Sequence, residues 1–289
     1  MILKQRNLLD PWKEDIRSSM IQVSPDIYAK LETSNPTGSV KDRLIQHVVK
    51  LALKKGKITS ETVFVEATSG NTGISLSAIA ASLGLKTKII MPENMSEERR
   101  QMMRAFGAEI LNVGKSDFAA AIEKRNEMVE SSEKYWSPMQ FENMENVECH
   151  RIHTGPEIID QLDGMPFAAF VSGAGTGGTI MGVRRTVLER GLKTHMVLTQ
   201  PAEDDKSHGI QGINDGADFL AKPELLDMQI KVTTSEAINR AKQFAKTRGV
   251  LIGISAGANL CAAEKYSEIY KPMGAIVTML CDRGERYFS

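Results

Sequence analysis

Three short stretches place reactive or anion-seeking residues where the chain turns into a helix. In Asn35-Pro36-Thr37-Gly38-Ser39-Val40-Lys41-Asp42-Arg43 a Pro/Gly turn leads directly into a lysine, at the head of a helix predicted over residues 40–54. An ammonium in a helix's first turn faces the positive end of the dipole, which lowers the cost of losing its proton. The neutral amine is the form that attacks an aldehyde to make a Schiff base. A plain solvated lysine is the alternative, since four more lysines follow by Lys57.

Residues 66–73 read Glu-Ala-Thr-Ser-Gly-Asn-Thr-Gly, between a strand and an apolar helix predicted over 74–83. Such a loop offers amides and short hydroxyls at a helix N-terminus, which suits a carboxylate as well as it suits ordinary capping. Gly173-Ala174-Gly175-Thr176-Gly177-Gly178-Thr179 also joins a strand to a helix and satisfies G-x-G-x-x-G literally. The next strand ends in Thr199-Gln200-Pro201, without the carboxylate a dinucleotide's ribose would require. Two threonines among the glycines suit a terminal phosphate better; a tight turn without a ligand is the remaining alternative.

The elements that must position these turns alternate strand and helix, the pattern of parallel sheets in an α/β fold. Strands are predicted over 62–66, 88–91, 109–113, 167–172, 194–199, 229–232, 250–253 and 275–280. Ser96 caps one helix, with Glu97 and Glu98 in its first turn and Gly107 at its stop; another runs from Ser235 to Arg248 and closes on Gly249. The 289 residues, 42% of them hydrophobic, suffice for two domains, with a soft boundary expected in the Ser-Pro and Asn-rich stretch 135–148. Thirty-six basic side chains balance 36 acidic ones, so nothing supports nucleic-acid binding, and the partner is expected to be a small molecule. No apolar run approaches the roughly 18–20 residues of a membrane span, and residues 1–17 carry charges throughout. Cys149, Cys261 and Cys281 form neither a disulfide framework nor a metal-type spacing, so a soluble, cytoplasmic protein is expected. Cys149, His150 and His153 are read as a surface helix start, with no metal bound.

These motifs, His208-Gly209-Ile210-Gln211-Gly212-Ile213, Ser255-Ala256-Gly257-Ala258 and Asp282-Arg283-Gly284-Glu285-Arg286-Tyr287 occur in one order. Over residues 28–289 the chain resembles the cysteine synthases (O-acetylserine sulfhydrylases) of the fold-type II, tryptophan synthase β-like, pyridoxal-phosphate enzymes. Residues 91–100 and 281–284 resemble the B-type isozyme, whereas 208–212 is similar to the A-type. The resemblance implies pyridoxal 5'-phosphate held by Lys41, which also serves as the proton-transfer base. It assigns Asn71 to the ring hydroxyl, Gly175, Thr176, Gly177, Gly178 and Thr179 to the phosphate, and Cys281 to the pyridine nitrogen. Asp282 is one register position away. Thr68, Ser69, Gly70, Thr72 and Gln140 would bind the substrate's α-carboxylate. The resemblance also implies a smaller domain of residues 35–148 with Lys41 and the Asn71 loop, and a larger one of 1–34 and 149–289 with the phosphate loop. A homodimer, and docking of a serine acetyltransferase, belong to the same pattern.

The implied reaction converts O-acetyl-L-serine and sulfide to L-cysteine and acetate. Departures from the family pattern leave alternatives open. Ser19-Met20-Ile21 stands where the family has Thr-Pro-Leu, Ala256 replaces a second serine, and Asp215 and Asp218 follow the Gln-Gly turn. The rivals are the same chemistry on O-phosphoserine, a cystathionine- or diaminopropionate-type nucleophile, and a silent partner-binding paralogue.

Overall fold

Aliphatic, β-branched runs separated by helical stretches build two mainly parallel sheets in the computed structural model, which describes residues 11–203, 209–210, 213 and 220–287. The strands are β1 (Met20–Gln22), β2 (Ile27–Leu31), β3 (Val63–Ala67), β4 (Lys86–Pro92), β5 (Glu109–Val113), β6 (Tyr135–Trp136), β7 (Phe167–Gly173), β8 (His195–Pro201), β9 (Met228–Val232) and β10 (Ala275–Leu280). The helices are α1 (Lys41–Lys54), α2 (Asn71–Leu83), α3 (Glu97–Ala105), α4 (Phe118–Ser131), α5 (Glu145–Cys149), α6 (Gly155–Leu162), α7 (Gly178–Glu189), α8 (Thr234–Arg248) and α9 (Ile254–Tyr270). A single π-turn, His150–Thr154, joins α5 to α6.

The chain forms two units. The smaller holds Lys41–Asn143 and a sheet ordered β5-β4-β3-β6, all parallel. Its core includes Leu44, Ile45, Phe64, Ile74, Ile79 and Ile89. The larger holds 17–40 and 144–287 and a sheet ordered β1-β2-β10-β7-β8-β9, parallel except for the β1–β2 hairpin. Burial of successive aliphatic residues along β10, every one of which is inaccessible to solvent, marks it as a central strand.

The chain passes between units at Val40/Lys41 and Asn143/Met144, where the sequence reading placed 34/35 and 148/149. Residues 11–16 join the smaller unit, although the reading assigned 1–34 to the larger. Trp12 and Ile16 pack in the core of α1 and α2. The Gln46 amide holds them there, donating to the Trp12 and Glu14 carbonyls and accepting from the Ile16 N–H.

Expected strands are present, with ends shifted by at most two residues, except 250–253. There only Ile252 bridges Arg283, and Gly253 leads into α9. The helix expected from Ser235 is capped two residues earlier, by a reciprocal Thr233–Glu236 box. Ser96 accepts from the Arg99 N–H and Gly249 is left-handed, both as expected. Cys149 and His150 are buried instead of opening a surface helix, because α5 and the π-turn pack on α7. Among the described residues no metal-type cluster occurs, and no helix is long and apolar enough to cross a membrane.

The β1–β2 hairpin was missed because Lys30 interrupts its apolar pattern. Lys30 is fully buried, and its ammonium donates to the Ser18 carbonyl, Glu157 and Gln161. Lys30→Met would leave the Glu157 carboxylate buried without its counter-charge. A loss of about 3–5 kcal/mol in unfolding free energy is expected by chemical denaturation.

Candidate active site

In the smaller unit, Lys41 is the first residue of α1 and Asn71 the first of α2. The two helix heads are tied together, since the Ser75 hydroxyl of α2 donates to the Asp42 carboxylate of α1. Both partners are buried, so the bond is shielded from competing water. It fixes the lysine's helix start against the asparagine's. Gly70, the residue before α2, contributes no side-chain cap, and its carbonyl accepts from the Gly73 and Ile74 N–H groups. Packing holds the loop close: a β-carbon on Gly73 would lie 2.8 Å from Met103 and 3.0 Å from Thr68.

Thr68 and Thr72 are buried, whereas Ser69, Gly70 and Asn71 are half-buried. The Thr72 hydroxyl donates to Gln140 Oε1 at 2.6 Å, so 68 residues of chain close to one contact. The structure thereby brings together Thr68, Ser69, Gly70, Asn71, Thr72 and Gln140, as the spacing alone did not require. Behind them lies Glu66, which accepts from the Ala67 and Gln140 N–H groups and pairs with Arg125. Burial pushes the Glu66 carboxyl above its ordinary range, while the Arg125 guanidinium pulls the other way.

In the larger unit, the glycine loop leaves the C-terminal end of β7, and Cys281 follows β10, the strand beside it. Ligands of parallel sheets collect at such strand ends. Gly177 is left-handed at φ +89, and no side chain caps α7 among the described residues. Gly178 N–H leans only on Thr176 Oγ1 at 3.4 Å. The loop is latched behind by Leu220 N–H on the Thr176 carbonyl. Asn146 Nδ2 donates to Thr176 Oγ1, and His150 bridges Thr154 and Thr179 through its two ring nitrogens at 2.8 and 3.2 Å.

Asn259 of α9 links the two strand ends. Its carbonyl accepts the Gly173 N–H, and its amide donates to the Met279 carbonyl and to Cys281 Sγ at 3.4 Å. Asp282 turns elsewhere: it accepts the Tyr287 hydroxyl at 2.6 Å, and its Oδ1 lies against Gly253, where a β-carbon would sit 2.0 Å away. Sequence reasoning missed Glu66, Asn146, His150 and Asn259 as supports. Glu66 lay in plain view inside its motif, but a support declares itself only through its partners. Of the Gln-Gly turn, Gly209, Ile210 and Ile213 are described; His208, Gln211, Gly212 and the 214–218 stretch with Asp215 and Asp218 lie outside the described residues.

Mainly parallel sheets flanked by helices, with a glycine loop leaving a strand's C-terminal end, define an α/β protein of the kind whose ligands collect at strand ends. The family model for "Pyridoxal-phosphate dependent enzyme" matches residues 16–282, and the chain belongs to that family. Cysteine synthase B of Campylobacter jejuni is 42% identical over 275 residues, 91% of this chain and 90% of that one. A cysteine synthase of Staphylococcus aureus is 38% identical over all of this chain and 92% of its own length. The crystal structure of an O-acetylserine dependent cystathionine beta-synthase from Helicobacter pylori superposes with a TM-score of 0.85 at 33% identity, covering 96% of both chains.

The residues present fit pyridoxal phosphate. An uncapped α7 head with hydroxyls and no carboxylate in residues 173–179 suits a phosphate dianion. At two helix heads of the smaller unit Lys41 offers a primary amine and Asn71 an amide, donor types that such a cofactor can use. Gly177→Ala tests the cradle. Its β-carbon would fall 2.2 Å from the Ala221 backbone nitrogen at a left-handed φ. Backbone strain of about 1–3 kcal/mol adds to that clash, so a lower melting temperature and faster loss of cofactor on dialysis are expected.

Proposed function

We propose that this enzyme makes L-cysteine and acetate from O-acetyl-L-serine and sulfide by β-replacement. The observation that supports it best is the pairing of the Lys41 and Asn71 helix heads through Asp42 and Ser75, beside a carboxylate-sized set of hydroxyls and amides at Thr68, Ser69, Gly70, Thr72 and Gln140. Bound pyridoxal phosphate supplies an aldehyde for a lysine amine and an electron sink for the substrate's α-carbon. Lys41 would hold the cofactor through its amine, and its Nζ would take the substrate's α-proton. Asn71 orients the ring through its hydroxyl. Gly175, Thr176, Gly177, Gly178 and Thr179 hold the phosphate with amides and hydroxyls at the positive end of α7. The Thr68–Thr72 loop and Gln140 orient the substrate by its carboxylate and exclude water around the reacting carbon.

Cys281 serves as the ring nitrogen's partner, with Asn259 setting its thiol. The engagement of Asp282 by Tyr287 favours Cys281 over its neighbour. A thiol there, in place of a carboxylate, would supply a weak partner to the ring nitrogen, which would favour loss of a β-substituent over transamination. A second reading keeps the donor and widens the acceptor, because the Helicobacter pylori relative is an O-acetylserine dependent cystathionine beta-synthase. We further propose a cytoplasmic homodimer that docks a serine acetyltransferase; the three free cysteines suit a reducing compartment.

Two measurements test this reading. Lys41→Ala should abolish cysteine formation, and the wild-type cofactor's visible absorbance should shift on adding O-acetyl-L-serine; normal turnover by the variant would remove Lys41 from its role. Cys281→Asp should lower cysteine formation at least about tenfold while raising keto-acid release from amino acids, since a carboxylate would protonate the ring. Parallel assays with sulfide and homocysteine separate the two acceptors.

A further inference from the structure

Glu66 is fully buried at the end of β3, where an unpaired carboxylate would be costly. Its four contacts are divided between its two oxygens. Oε1 accepts the Ala67 N–H at 2.8 Å and Arg125 Nη1 at 3.3 Å. Oε2 accepts the Gln140 N–H at 3.3 Å and the Ser137 hydroxyl at 3.5 Å. Arg125, itself fully buried on α4, continues to Glu142 Oε1 at 3.0 Å. Residues 137, 140 and 142 are thus all anchored to one carboxylate, two directly and one through the guanidinium.

That loop needs anchoring. Met139 is held left-handed at φ +49, a conformation that residues with a β-carbon rarely adopt. Ser137 Oγ accepts the Met139 N–H, and the Glu142 and Asn143 N–H groups both bond the Met139 carbonyl. A cross-link between β3 and α4 would require Arg125 alone. The second oxygen instead holds the backbone of Gln140, whose side chain meets Thr72.

We infer that Glu66 is a positioning residue for the substrate's α-carboxylate, setting Gln140 against Thr72 and drawing its own rigidity from Arg125 and Glu142. The inference rests on the proposed role of Gln140 and Thr72 in holding that carboxylate. It predicts an effect on O-acetyl-L-serine and none on sulfide or cofactor.

The test is a double-variant cycle on the holoenzyme, with initial rates in O-acetyl-L-serine and in sulfide, cofactor absorbance and thermal melting. Glu66→Gln should raise KM for O-acetyl-L-serine about tenfold, the scale of one charge-assisted hydrogen bond. The KM for sulfide and the cofactor spectrum should stay within about twofold. Gln140→Ala should raise the same KM, and the double variant should be no worse than Gln140→Ala alone. If the two losses multiply, or if Glu66→Gln lowers the melting temperature without moving that KM, Glu66 only stabilises the fold and the inference is overturned. A Gln140→Ala variant with unchanged KM would instead overturn the carboxylate site itself, and this inference with it. Glu142→Gln, at the exposed end of the network, serves if Glu66→Gln fails to fold. It should raise KM for O-acetyl-L-serine about two- to threefold, and no change would overturn the inference.

Discussion

The site depends on how four residues before Lys41 are fastened to the end of β10. Val40 donates its N–H to the Cys281 carbonyl, and Ser39 pairs with Asp282 as an antiparallel bridge. The Gly38 carbonyl accepts from Arg283 N–H, and the buried Arg286 guanidinium reaches the Thr37 and Gly38 carbonyls. Gly38 has no room for a side chain, since a β-carbon would lie 2.7 Å from Arg283 Cδ. The lysine therefore begins its helix one peptide bond beyond a turn that has almost no freedom. For the role proposed for Lys41, a fixed helix start limits the positions its amine can reach.

Motifs that act through their own backbone were legible in the sequence. The glycine loop, the Asn71 loop and Lys41 each announce themselves because glycine, short hydroxyls and a helix start lie within a few residues of one another. Partners distant in the chain were not legible. Glu66 and Arg125 are 59 residues apart, and Asn259 meets Gly173 across 86. Nothing in either local pattern distinguishes these from solvated side chains. The same limit explains β1 and β2, where a buried lysine breaks the alternation, and residues 11–16, whose place is decided by Gln46 thirty residues or more later. Residues 250–253 failed in the opposite direction. Their composition is that of a strand, but Gly253 is committed to the head of α9 and to the Asp282 carbonyl.

Electrostatics in this molecule is local. The formal charge of zero provides no long-range field, yet α2 and α7 each present an uncapped positive end. Buried cationic side chains are paired with carboxylates: Arg125 faces Glu66 and Glu142, and Lys30 faces Glu157. Backbone dipoles hold anions without the conformational cost of ordering long side chains.

The sheet order of the larger unit has a consequence for synthesis. β10 lies between β2 and β7, so strands from the beginning and middle of the chain have no mutual edge until the last strand arrives. The smaller unit, being one continuous insertion apart from residues 11–16, can collapse much earlier. During translation a nascent chain would thus carry a formed α1 whose lysine is still untethered. The turn that precedes Lys41 is fastened only when residues 281–286 have emerged, so the last stretch of chain to be made is the one that fixes it.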